Sequence, residues 1–92
     1  MVTARAHVYV SGIVQGVYFR QTTMEHAQNL GVYVWIKNLP DGSVEAVFEG
    51  HKEAVKKMVE FCARGPRGAS VTNVETIWEP FKEEFSSFEI SY

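Results

Sequence analysis

The chain has 92 residues, enough for one hydrophobic core and too few for two. Apolar residues make up 46% and charged residues 22%, the proportions of a globular rather than a disordered chain. Nine basic against eleven acidic residues give a formal net charge of −2, without the basic excess of nucleic-acid binders. A single cysteine, Cys62, excludes an internal disulfide framework and fits a reducing, cytoplasmic setting. The opening Met1-Val2-Thr3-Ala4-Arg5 has no long apolar run and does not read as a secretory signal. No stretch approaches the roughly 20 apolar residues of a membrane span.

Ala6 to Gly12 is a strand by composition and alternation, with Val8 and Val10 on one face and Tyr9 on the other. Ile13 to Val17 reads as a turn built around Gly16. Phe19, Thr23, Ala27 and Leu30 then fall on one helical stripe. Thr22 and Glu25 have the spacing of a capping box, and Gly31 is the stop signal. Val32 to Leu39 is a second strand, and Pro40-Asp41-Gly42 a turn. Ser43 to Glu49 alternates, with Val44, Ala46 and Phe48 facing inward. His51 to Arg64 reads as a helix burying Val55, Met58, Val59 and Cys62, closed by Gly65-Pro66. Val71 to Glu79 is a fourth, less regular strand with room for a bulge. Phe88, Ile90 and Tyr92 alternate in a short last strand.

The order β-α-β-β-α-β plus a terminal strand is the ferredoxin-like split β-α-β pattern, an α+β sandwich. It predicts one domain over residues 1–92, with an antiparallel sheet and both helices on one of its faces. Many unrelated activities use this pattern, so it does not by itself name one.

One segment carries chemistry. Gly12-Ile13-Val14-Gln15-Gly16-Val17-Tyr18-Phe19-Arg20 joins a strand to a helix N-terminus. Amides there lack helical partners, and the helix dipole adds partial positive charge. Successive amides in a glycine-containing turn form an anion nest. Gly16 permits the dihedrals, and the planar fork of Arg20 suits phosphate oxygens. On these residues alone, a phosphate cradle and an ordinary glycine turn beside a solvated arginine both fit.

Read as V-x-G-x-V-Q-G-V-x-F-R, residues Val10 to Arg20 resemble the first signature of the acylphosphatase family. Asn38-x-x-x-Gly42-x-Val44, with Gly50 after five further residues, resembles its second. Two motifs in order, on a chain of the right length and element order, identify it as a member. The resemblance implies hydrolysis of the carboxyl–phosphate anhydride of acyl phosphates, without metal or cofactor. It implies that Arg20 and the backbone amides of Gln15, Gly16, Val17, Tyr18, Phe19 and Arg20 hold the phosphate. It implies that Asn38 orients the attacking water. Acyl phosphate and inorganic phosphate are then the ligands of a monomer that binds neither nucleic acid nor membrane.

The residues agree with that chemistry. Asparagine takes up no proton, so it positions water without serving as a base. Neither motif holds a histidine or a carboxylate at a fixed position, and Asp41, the candidate for an aspartyl-phosphate route, lies in a turn. Such a set suits a bond whose leaving group needs no protonation, as a carboxylate does not. Cys62 lies on an apolar helix face with Gly68, not arginine, six residues on, which speaks against a thiolate nucleophile. His7, His26 and His51 are too scattered for a metal site.

The chain departs from the family pattern four residues before Asn38, where a common glycine is Val34, and at the bulky Ile36. Strand parity puts both on the face of Asn38. This keeps open a binding module with the same cradle and little turnover. Tyr18 stands at a variable place and reads as a partly exposed aromatic at the mouth of the loop. Tyr33, Trp35 and Trp78 read as packing residues. Tyr9 and Trp35 are the weak candidates for a single-stranded RNA platform, whose aromatic run is absent. The carboxylate of Tyr92 is a candidate contact for Arg20 by the same resemblance.

Overall fold

The computed structural model describes residues 2–80 and 89–91. The strands are β1 (Thr3–Ile13), β2 (Tyr33–Asn38), β3 (Val44–His51), β4 (Ser70–Glu79) and β5 (Glu89–Ser91). The helices are α1 (Phe19–Leu30) and α2 (Lys52–Arg64). The sheet order is β4-β1-β3-β2-β5. All pairs are antiparallel except β2 with β5, which is parallel. The expected fold stands, with a mixed sheet at the β5 edge. Phe88 and Tyr92, and with Tyr92 its candidate contact to Arg20, lie outside the described residues.

Alternation decides which face is buried. Ala6, Val8 and Val10 of β1 are fully buried, as are Val44, Ala46 and Phe48 of β3 and Val34 and Ile36 of β2. The helices add Phe19 and Ala27 from α1 and Val55, Met58, Phe61 and Cys62 from α2. Each large side chain buried this way contributes roughly 1.5–3 kcal/mol. Trp78, expected to pack, is 48% exposed on the edge strand β4. An edge strand has a neighbour on one side only, so its side chains are less covered.

The helix ends follow local chemistry. Gly31, at φ 70°, closes α1, and Val32 N–H reaches back to the Ala27 carbonyl at 2.8 Å. That is the wrapped C-terminus only a left-handed residue permits. The anticipated Thr22–Glu25 capping box is not formed. The helix begins four residues earlier, at the N-cap Tyr18, and Thr22 N–H makes the helical bond to the Tyr18 carbonyl at 3.0 Å. The bulge anticipated in β4 is present. Ser11 pairs with Asn73 but Gly12 pairs with Val71, which leaves Thr72 as the extra residue. Gly12 has φ 126°, and a Cβ there would overlap the Ser70 carbonyl oxygen. The first glycine of the motif therefore serves the β1–β4 contact, not a ligand.

The face of the sheet away from the helices mixes charged side chains with apolar and aromatic ones such as Val47, Trp35 and Tyr9. Arg5 Nε donates to Glu79 Oε1 at 2.9 Å, and Arg5 Nη1 lies 3.3 Å from Glu49 Oε2. His7 stands between Glu45, at 2.6 Å from Nε2, and Glu79, at 3.4 Å from Nδ1. The hydrogen bond from Arg5, with a smaller contribution from His7, holds the Glu79 carboxyl below its ordinary value of 4.5. A carboxyl with a lowered folded-state pKa stabilises fully above its unfolded value and loses that contribution as pH falls through the folded one. Stability of the wild type is therefore expected to drop below about pH 4.5, and Glu79→Gln to remove part of that drop. Urea midpoints from pH 6 to pH 3 would check this, and parallel curves for the two proteins would contradict it.

Candidate active site

Strand register builds the site. Val44, the first residue of β3, pairs with Val10 on one side and with Asn38 on the other. The C-terminal ends of β1 and β2 thus meet at one end of the sheet. Asn38 ends the stripe Val34–Ile36–Asn38, which points to the helix layer. The loop leaving β1 enters α1 on that same side.

The loop backbone is shaped for an anion. Gly16 has φ 73° and Tyr18 has φ 58°, while Val17 and Phe19 have negative φ. Alternation of the sign of φ along successive residues turns neighbouring amides inward, which makes a nest. Tyr18 is the one non-glycine residue with positive φ among those described. This conformation costs roughly 1–2 kcal/mol for an L-residue with a Cβ. No side chain caps α1. The amides of Phe19, Arg20 and Gln21 precede the helical ladder, which Thr22 begins.

These residues line a cleft of about 410 Å³ made by Val14, Gly16, Tyr18, Phe19, Arg20, Gln21 and Asn38. Val14 and Phe19 are buried and form its floor, Arg20 is half-buried, and Tyr18 is 75% exposed. Asn38 Oδ1 is buried, and no hydrogen-bond donor reaches it among the described residues. A buried acceptor without a partner is costly, and such atoms concentrate where a ligand or water is handled. A second cleft, about 440 Å³, lies between α1 and α2 beside His26, Phe61 and Arg64, and holds none of the motif residues.

Gln15 has a role that the sequence did not announce. Its Nε2 donates to the carbonyls of Leu39 at 2.8 Å and Ser43 at 2.9 Å. One side chain thus ties the loop to both ends of the β2–β3 turn. Within that turn, Leu39 N–H donates to Ser43 O at 2.8 Å. Asp41 Oδ1 accepts from Ser43 N–H at 2.9 Å and from Ser43 Oγ–H at 2.5 Å. Those bonds hold the exposed Asp41 carboxyl below its ordinary value and engage one of its two oxygens within the turn. Only long-range geometry reveals the Gln15 contact. A glutamine in a glycine loop carries no sequence signal that its side chain, rather than its amide, bridges to another turn.

The cysteine and histidines that other chemistries would use lie outside the lining of this cleft. Cys62 is fully buried, and burial pushes its thiol up to about 12. His26 stacks on Phe61 at 4.2 Å between ring centroids, His7 lies among carboxylates on the opposite face, and exposed His51 stands at the N-cap position of α2 without a side-chain capping bond. Among the described residues, no three His, Cys, Asp or Glu side chains converge as metal ligands would. No helix among them is long and apolar enough to cross a membrane. Val34 belongs to the core and is not part of the cleft wall.

The acylphosphatase family model matches residues 6–90. This chain belongs to the acylphosphatase family. It is 53% identical over 92 residues, all of both chains, to an acylphosphatase of Pelotomaculum thermopropionicum. Its fold superposes on an acylphosphatase from Coxiella burnetii with a TM-score of 0.90 at 35% identity, covering 97% of this chain and 93% of that one. For acylphosphatase from Bacillus subtilis the TM-score is 0.91 at 31% identity, covering 97% and 99%.

Gln15→Leu keeps the volume but removes both donors. It is expected to lower stability by about 1–2 kcal/mol for two hydrogen bonds. It is also expected to speed amide exchange at Leu39, whose turn it braces. Denaturant unfolding with residue-resolved exchange would check both, and unchanged exchange at Leu39 would show that the turn holds itself.

Proposed function

We propose that Arg20 and the amides of residues 15–20 hold the phosphoryl group of an acyl phosphate while Asn38 orients the water that attacks it. The chain is an enzyme of the acylphosphatase family, and acyl-phosphate hydrolysis is its activity. The residue roles are our reading. The observation that carries them is the buried Oδ1 of Asn38, without a partner among the described residues, in a cleft shared with Arg20 and the nest.

The chemistry balances without an acid or a base. Water attacks phosphorus, the bond from phosphorus to the acyl oxygen breaks, and that oxygen leaves as part of a carboxylate. Carboxylates are stable anions at neutral pH, with ordinary values near 4, so no group need protonate the leaving oxygen. The proton of the water passes to the phosphate product or to solvent. Asn38 Oδ1 accepts a hydrogen bond from the water and so fixes its direction. Charge on the equatorial oxygens rests on the guanidinium and on preorganised amides, which need no reorganisation as the reaction proceeds. Placing water and phosphorus in line is the other contribution. In the same reading the whole chain acts as one domain and a cytoplasmic monomer. Its ligands are acyl phosphate and inorganic phosphate, and it uses no metal, nucleic-acid or membrane partner.

Hydrolysis of benzoyl phosphate, followed by ultraviolet absorbance with a chelator present, tests the whole scheme. Wild type is expected to turn over at the same rate with and without chelator. Arg20→Ala is expected to lose turnover and inhibition by inorganic phosphate together. Asn38→Ala is expected to lose about 100- to 1,000-fold in kcat while phosphate still inhibits. Near-wild-type kcat in Asn38→Ala would refute its role. Phosphate binding with no turnover by the folded wild type would instead point to the binding module.

A further inference from the structure

The cleft is larger than the group its cradle holds. Five heavy atoms, each given the roughly 30 Å³ of a water molecule, fill no more than about 150 Å³. The cleft measures about 410 Å³. The remaining wall is where an acyl group must lie. Among the described lining residues Arg20 is the only charged one, and it stands with Gly16 at the phosphate end. With Asn38 assigned to the water, what remains is the apolar floor of Val14 and Phe19, Gln21 and the ring of Tyr18. Tyr18 is unusual twice over. It is a large aromatic left 75% exposed, and it holds a left-handed conformation that glycine or asparagine adopts more readily. The nest needs positive φ at this position, but nothing in the nest needs a ring. A bulky side chain kept at a strained, exposed position on a cleft rim is the pattern of a ligand contact.

We propose that Tyr18 is a specificity residue, its ring packing against the acyl group and favouring neutral, planar acyl phosphates over small ones. This rests on the acyl-phosphate reading above. The test compares kcat/KM for benzoyl phosphate and acetyl phosphate in wild type, Tyr18→Phe and Tyr18→Asn. Asparagine tolerates the left-handed backbone, so Tyr18→Asn removes the ring with least disturbance to the amides. A thermal unfolding midpoint no lower than that of wild type would verify the fold. The ratio of benzoyl to acetyl kcat/KM is expected to fall about three- to tenfold in Tyr18→Asn, the worth of one aromatic contact. Tyr18→Phe is expected to restore it. An unchanged ratio would overturn the proposal. So would an equal loss for both substrates matched by weaker inhibition by inorganic phosphate, since that places the effect in the amide cradle. Failure of wild type to hydrolyse either substrate would overturn the acyl-phosphate reading itself, whereas turnover of both with an unmoved ratio overturns only the role of Tyr18.

Discussion

Everything at the site depends on where Val44 stands in the sheet. It pairs with Val10 and with Asn38, so one residue of β3 sets β1 and β2 level with each other at the end of the sheet where the site forms. A slip of one residue would move Asn38 to the other face, the face of Glu45, because side chains alternate with a period of two. The apolar stripe prevents that slip. Val34 and Ile36 on β2 are fully buried beside Phe48 and Ala46 on β3, and exposing them would cost several kcal/mol together. The hydrophobic core therefore sets the position of the polar side chain that ends its stripe. Gln15 adds the third dimension, since its two hydrogen bonds fix the loop against the turn once register has brought them near.

The cradle is a backbone device, which explains its residue choices. Amides belong to every residue, so a nest is specified through dihedral angles rather than through side-chain chemistry. Gly16 supplies one positive φ with open space around it. Tyr18 supplies the other at a cost, and the surrounding fold holds it there. Phe19, the next residue, is fully committed to the core and touches the Phe61 ring region at 6.3 Å between centroids. Burial of Phe19 anchors the first turn of α1 against the second helix. The strained residue and the anchoring one are adjacent, so core packing can offset the local strain without occupying the cleft.

Much of this was legible in the sequence, because the signals involved are short-range. Alternating Val8–Val10 and Val44–Ala46–Phe48 gave the buried faces, Gly31 gave the end of α1, and Pro40-Asp41-Gly42 gave its turn. Cys62 read as a core residue from helical spacing alone, as its burial bears out. The start of α1 was legible in its stripe, which begins at Phe19, but not in its cap. Thr22 and Glu25 have good capping spacing, but the helix gains more by reaching back to bury Phe19 at its first position. The parallel pairing of β5 and the exposure of Trp78 were missed for a different reason. Both are set by which strand occupies a sheet edge, and edge position leaves no periodic mark on a sequence. The two bonds of Gln15 span 24 and 28 residues, beyond any local pattern.

Val34 shows how a departure from a family motif is weighed by distance. A side chain on the same face as Asn38 invites the thought that it crowds the site. Four residues along a strand, however, are about 13 Å at 3.3 Å each. Val34 pairs with Phe48, at the far end of β3 from Val44, and is wholly enclosed by the core. A glycine there would leave space next to Phe48, whereas valine fills it and stiffens the strand as a β-branched residue does. Its influence on Asn38 is therefore through rigidity of β2, not through contact. The cleft wall is made by the loop, the first turn of α1 and Asn38, so Val34 bears on the firmness of the strand that carries Asn38 rather than on the shape of the space a substrate enters.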